Sequence, residues 1–248
     1  MKAVALVTGA SSGIGAATAE ALVAAGWGVI AAARRADRLA ALAARLGPAC
    51  HAAALDVTRD QSVAALLAGL PASFRTIDLL VNNAGHDVGG RRRFDEGDLA
   101  EWQAIVDTNL AGMIRVTHAV VPAMLARRRG HIVNVGSVAG RTGFAGLSIY
   151  AATKFAVHGF SDSLRKDFRG QGVRVSEILP GLVRTEFAAT RWKGDAAKAD
   201  SFYAAGKGTL APADIARAIV YCVEQPPEVT VAEMTIVPTG DLDERAAS

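Results

Sequence analysis

Short runs rich in valine, isoleucine and alanine alternate with longer helical patterns along most of this chain, and that alternation restricts its fold more than any other feature. A strand, a helix and a further strand in succession read as a βαβ unit, which needs a parallel sheet buried on both faces. The runs predict strands at 3–8, 28–33, 50–55, 77–82, 131–136, 173–178 and 231–237, and helices over 13–25, 37–46, 60–69, 98–128, 148–170 and 212–224. Right-handed crossovers then favour a doubly wound sheet with ligands at the carboxyl ends of its strands. The expected fold class is α/β, one domain over 1–248 with a parallel sheet of about seven strands flanked by helices.

The bulk properties narrow the function classes. With 248 residues, 51% of them hydrophobic, the chain has ample apolar surface for a core. A net charge of +3 is mild, so no nucleic-acid partner is expected, and the triplets Arg91–Arg93 and Arg127–Arg129 need local explanations. Arg127–Arg129 end a helix before Gly130, where the helix dipole favours cations. Cys50 and Cys222 lie far apart in apolar settings, which suits reduced thiols in a cytoplasmic protein, and neither has the spacing of a metal site. The opening MKAVALVTGA runs straight into glycines without a cleavage site and reads as a buried strand. Scattered charges interrupt the apolar runs, so no membrane span is expected. The segment 186–210 is polar and lacks clear periodicity; it reads as an irregular stretch closing over a site.

Directly after the first strand comes TGASSGIG, Thr8 to Gly15, opening an alanine-rich helix. Glycines at 9, 13 and 15 can turn the chain sharply and bring a pyrophosphate against backbone N–H groups at the helix N-terminus. A plain tight turn is the simpler alternative, but the strand–loop–helix context is the one a dinucleotide requires. The second strand ends in Ala33-Arg34-Arg35, where a ribose-binding acid would stand in an NAD(H) site. Two guanidiniums there suit a 2′-phosphate, so NADP(H) is favoured over NAD(H). Asp37 reads as the N-cap of the next helix, and Asp56 as an adenine contact or a loop cap.

In SIYAATKFAV, Tyr150 and Lys154 stand four residues apart on one helix face. A core tyrosine with a lysine snorkelling past it would give the same spacing. The company decides: TGASSGIG at 8–15, NNAG at 82–85, Ser137 in VGSVAG, Tyr150-x-x-x-Lys154 and Pro180-Gly181 follow in order. On these motifs the chain resembles the short-chain dehydrogenase/reductase family over nearly its whole length, which implies a Rossmann-type fold. The resemblance implies a catalytic tetrad of Asn109, Ser137, Tyr150 and Lys154. It also implies cofactor contacts from Gly9, Ser11, Ser12, Gly13, Ile14 and Gly15, from Arg34, Arg35, Asp56 and Val57, and from Asn83, Ala84 and Gly85. Pro180, Gly181, Val183 and Thr185 would complete that wall, with Lys154 also on the nicotinamide ribose.

A free phenol has a pKa near 10, and drawing Tyr150 toward about 7 needs roughly 4 kcal/mol in favour of phenolate, which Lys154 and an oxidised nicotinamide would supply. Within the family the chain is similar to bacterial NADP-dependent 3-hydroxy acid dehydrogenases, which implies a small anionic substrate such as serine, allo-threonine, 3-hydroxypropionate or sulfoacetaldehyde. Arg191 and Lys193, in RWKGD, would pair with the substrate's anionic tail, or stand as solvated surface charges. His86 and Asp87 would touch the substrate or shape the loop, and Arg91–Arg93 would bind a second anion, meet a neighbouring subunit or pair locally. Polyols, amino alcohols, 3-oxoacyl thioesters and a non-catalytic nucleotide sensor are the alternatives. The resemblance further implies a homotetramer.

Overall fold

The computed structural model describes residues 1–204 and 208–241. Seven strands form one sheet in the order β3-β2-β1-β4-β5-β6-β7, all pairings parallel. They are β1 (Val4–Thr8), β2 (Gly28–Ala33), β3 (Cys50–Ala54), β4 (Leu79–Asn82), β5 (Gly130–Val135), β6 (Val173–Pro180) and β7 (Glu233–Ile236). The order reverses between β1 and β4, which opens a crevice at their carboxyl ends.

Period-two alternation sends successive side chains to opposite faces, so each face gathers its own core. Ala5, Val7, Val29, Ala31, Leu79 and Val81 pack under α1 (Gly13–Ala24), α2 (Ala36–Leu46) and, later in the chain, the helix Pro212–Val223. Leu6, Ile30, Leu80, Ile132 and Val175 turn the other way, against α3 (Asp60–Gly69) and the helix Met113–Ala126. Leu6, Ile30, Leu79, Leu80 and Ile132 are almost wholly removed from water. At about 1.5–3 kcal/mol each, such side chains fix the scaffold and leave the strand ends free for polar work.

The helix expected over 98–128 is interrupted. It runs as α4 (Leu99–Val106), a π-helical turn Asp107–Gly112 and α5 (Met113–Ala126). Taken by length and composition, Leu99–Ala126 could cross a membrane, at 28 residues and a mean hydropathy of 1.2, contrary to the expectation that no run would qualify. Here Val116, Val120 and Met124 bury it against the sheet. The remaining helices are α6 (Ser148–Asp167), α7 (Phe187–Arg191), α8 (Ala196–Ala204) and α9 (Pro212–Val223). The stretch read as irregular at 186–210 therefore holds two short helices, each too brief for a clear period; 205–207 lie outside the described residues. Asp37 is not a cap either: α2 begins at Ala36 with Arg35 as its N-cap residue, and Asp37 lies inside the first turn. The Arg127–Arg129 triplet follows α5 rather than ending it: Arg127 and Arg128 donate to the Ile77 and Gly170 carbonyls, and Arg129 faces Asp78.

Candidate active site

At the carboxyl ends of β1, β2, β4, β5 and β6 the loops enclose a cleft of about 920 Å³. One end is built from Gly9, Ser11, Ser12, Gly13 and Ile14. Gly9 and Gly13 have φ of +69° and +54°, the left-handed region that glycine occupies without strain. Gly15 does not face the cleft: a Cβ there would lie 2.4 Å from the Gly9 carbonyl, so it lets α1 approach the loop. Asn83 ties the same loop down, its Nδ2 donating to the Thr8 carbonyl at 2.9 Å, while Asn82 bonds Thr117 and Asn134 beneath the floor. Ala84, Gly85, Val57, Pro180, Gly181, Val183 and Thr185 line the walls.

Arg34 and Arg35 line the far corner. Arg35 donates from Nε to Ser11 Oγ at 3.0 Å and from Nη2 to Ser12 Oγ at 2.6 Å, and its Nη1 meets Glu186 at 2.9 Å. Arg38 holds the same Glu186 carboxylate at 2.6 Å. The hydrogen bond from Arg38, then that from Arg35 and both positive charges, hold the Glu186 carboxyl below its usual range against the pull of burial. Neither Arg38 nor Glu186 was singled out from the sequence; Glu186 follows the expected Thr185 by one residue, the only available hint. Asp56 chiefly caps its loop, accepting from the Thr58 amide at 3.0 Å and hydroxyl at 2.7 Å, although it borders the cleft. Burial opposes its charge, but the Thr58 bonds, Arg34 and Arg59 prevail and lower its pKa. A glycine-containing loop before a helix N-terminus, with clustered guanidiniums beside it, fits a dinucleotide carrying a 2′-phosphate.

The other end gathers Ser137, Tyr150 and Lys154. Ser137 follows β5 and accepts the Ala139 amide at 3.1 Å. Lys154, 7% exposed, donates from Nζ to the Val135 carbonyl at 2.8 Å, with Nζ 5.7 Å from the Tyr150 ring centre. Burial draws Lys154 down to about 8, opposed by Glu177. Tyr150 is pushed up to about 12 by burial, which outweighs the pull of the Ser137 hydroxyl and the Arg191 charge and is reinforced by Asp87. The expected drop of Tyr150 toward 7 is thus absent from the chain on its own.

Asn109 does not line the cleft. The π turn carries its buried amide to the His86 backbone, accepting from N and donating to O at 2.9 Å each, and to Thr153 Oγ1 at 3.4 Å. An inserted residue in a helix re-aims a side chain in this way, and the sequence signal for it was the poor helix former in mid-run. His86 faces the cleft, its Nε2 3.1 Å from Thr108 Oγ1; burial, with Arg34 adding to it, lowers its pKa.

Arg191 and Lys193 part company. Lys193 is exposed, pairs with Glu101 and lies outside the cleft, which removes it from the candidate substrate contacts. Arg191, 4% exposed, donates from Nε to Asp87 Oδ2 at 2.7 Å, while its Nη1 is buried with no hydrogen-bond partner among the described residues. Phe187, Trp192 and Phe202 surround the guanidinium, at 5.4, 5.5 and 4.8 Å. Burial pushes the Asp87 carboxyl up against the pull of Arg191 and Arg91. The arginine triplet also divides: Arg93 pairs with Asp95, Arg92 approaches Glu101, and Arg91 alone enters the cleft, 5.4 Å from the Phe202 ring.

The chain is similar over most of its length to known proteins. A serine 3-dehydrogenase of Rhizobium radiobacter is 41% identical over 235 residues, 95% of this chain and 93% of the relative. An NADP-dependent 3-hydroxy acid dehydrogenase of Salmonella typhi is 42% identical over 234 residues, 94% of each protein. The solved closed form of a serine dehydrogenase complexed with NADP+ is similar with a TM-score of 0.91, at 39% identity over 94% of each chain. Residues 3–196 match the family described as short chain dehydrogenase, and with this cleft at the ends of its parallel strands the chain belongs to that family.

Proposed function

We propose that this chain is an NADP(H)-dependent oxidoreductase that interconverts a hydroxyl and a carbonyl on a small anionic substrate of the 3-hydroxy acid type. The observation that carries this reading is the meeting, in one cleft, of Ser137 and Tyr150 with the buried, partly unpaired guanidinium of Arg191. NADP(H), when bound, supplies or accepts the hydride. The glycine loop and Arg34 and Arg35 would hold it, with Val57, Ala84, Gly85 and Thr185 along the walls.

In the reducing direction the Tyr150 hydroxyl gives its proton to the carbonyl oxygen, and in oxidation the phenolate takes it back. Ser137 holds that oxygen within reach of Tyr150. Lys154 favours the phenolate by charge, and Asn109 fixes the backbone at His86 beside the reacting group. Arg191 anchors the substrate's anionic end, since a desolvated carboxylate or sulfonate needs a paired cation. A neutral polyol leaves that guanidinium as it stands, unsatisfied at Nη1.

The remaining expectations belong to the same reading: one functional unit over 1–248 with 186–210 covering the substrate, a cytoplasmic setting and a homotetramer. The free, buried Cys50 and Cys222 support a reducing compartment, and the exposed Phe155 on α6 supports a subunit contact. Initial rates with NADP+ and NAD+ on L-serine, L-allo-threonine, 3-hydroxypropionate, isethionate and neutral polyols test the function. NADP+-dependent oxidation confined to the acids is expected. Tyr150→Phe should abolish it while NADPH still binds; retained turnover in that variant refutes the mechanism.

A further inference from the structure

Glu177, in the middle of β6, has no part in the chemistry above. It has no solvent exposure, although burying a carboxylate is costly unless it is paired. Its Oε2 accepts from His158 Nδ1 at 2.9 Å and lies 3.6 Å from the Arg141 guanidinium. Its Oε1 has no hydrogen-bond partner among the described residues. That unpartnered oxygen abuts Gly136, where a Cβ would lie 2.7 Å from it. Gly136 follows Val135, whose carbonyl receives the Lys154 ammonium. On α6 the residues Tyr150, Lys154 and His158 recur at four-residue steps along one face, so the residue that grips Glu177 sits one turn beyond the lysine.

We propose that Glu177 is a positioning residue, the counter-ion that keeps the Lys154 ammonium charged in its dry seat and is itself held in place by His158 and Arg141. This rests on the reading of Lys154 as the cation that serves the cofactor and Tyr150. The charged groups around the carboxylate come from three elements. His158 faces it from α6 and Arg141 from the turn after β5, while Lys154, one turn before His158, donates to the Val135 carbonyl next to the Gly136 that Glu177 abuts. Glu233 of β7 bonds Arg141 and approaches His158 at 3.9 Å. Farther along α6, Arg165 donates to the Ala232 carbonyl, the acceptor of the Glu177 amide. Donor atoms of His158, Glu177 and Glu233 lie within 4.8 Å of one another, as in a metal site, but Arg141 already brings the cation to that cluster. Burial lowers Lys154 and Glu177 opposes it, in line with this arrangement.

The test is the pH dependence of NADPH binding, followed by nicotinamide fluorescence, in the whole chain and in four variants. Binding by the unaltered chain should weaken on the alkaline side as Lys154 loses its proton. Glu177→Gln should move that limb down by about one pH unit and leave the acid side unchanged, a shift of the size one nearby charge produces. Glu177→Asp should retain the original limb. Arg141→Gln removes a competing cation and should move the limb up, which reads the same coupling if Glu177→Gln does not fold. A limb that stays in place in Glu177→Gln, or in Arg141→Gln where only that variant folds, overturns the proposal. Lys154→Ala should lack the limb; if it binds NADPH as the unaltered chain does at every pH, the reading of Lys154 itself falls instead.

Discussion

Replacing Arg191 with Met separates what this residue does for the fold from what it does for the substrate. The side chains of Arg191 and Asp87 are only 5% and 4% exposed and meet at 2.7 Å. Removing the guanidinium leaves a buried carboxylate without its cation, a loss of about 3–5 kcal/mol in such pairs. For a chain of this length 3 kcal/mol corresponds to roughly 6–12 °C in Tm. Converting Asp87 to Asn as well removes the stranded charge, so Asp87→Asn/Arg191→Met should recover most of the melting temperature. It should not recover activity. Losing a charge-assisted hydrogen bond to the substrate in a dry site costs about 3 kcal/mol, or roughly 150-fold in kcat/KM, carried mainly by KM. The assay is kcat/KM for the preferred acid beside the thermal melt of both variants. A double variant that is stable and as active on the acid as the parent refutes Arg191 as the anion anchor. A double variant no more stable than the single one refutes the account of the ion pair.

Lys154→Met should abolish turnover, and any Tm advantage it holds over the parent at pH 7, both free of cofactor, should shrink as pH rises. The sign follows from a native value of about 8 against an ordinary 10.5: below pH 8 the folded chain bears the full cost of a buried ammonium, and that cost disappears as pH rises to 10.5. Melts of both proteins at pH 7 and 10 check this, and a gap that fails to narrow refutes it. Arg35→Ala should weaken NADPH binding by about 10- to 150-fold, the range of a charge-assisted contact, with little change for NADH. Equal losses for the two nucleotides in a titration would place the 2′-phosphate elsewhere.

Where a continuous apolar run or a helical period fills one element, the sequence is enough: β2 and α3 fall where their patterns put them, at Gly28–Ala33 and Asp60–Gly69. Even β3, the least distinct strand, forms at Cys50–Ala54 because β2 offers it a matching edge. The motif residues Gly9, Ser137, Tyr150 and Lys154 converge because they sit at strand ends or on the helix that lies over them. Other features depend on contacts between distant segments. Nothing near Asp87 in the chain announces Arg191, 104 positions on, as its partner. A π turn differs from a continuous helix by one residue, which a 3.6-residue period does not resolve. Lys193 and Arg191 are two residues apart in a segment without period, so only the turn of α7 decides which faces inward.

The Glu186 carboxylate, gripped by Arg35 and Arg38, stands immediately before α7, and α7 ends with Arg191. A 2′-phosphate arriving at those guanidiniums competes with Glu186 for them, and the segment it releases is the one that carries the substrate anchor. Were that segment to move on its release, occupancy at one end of the cleft would be linked to geometry at the other, and some of the nucleotide's affinity would go into repositioning a short helix. Linkage of this kind is reciprocal: whatever factor bound nucleotide confers on the acid's affinity, the bound acid must return to the nucleotide.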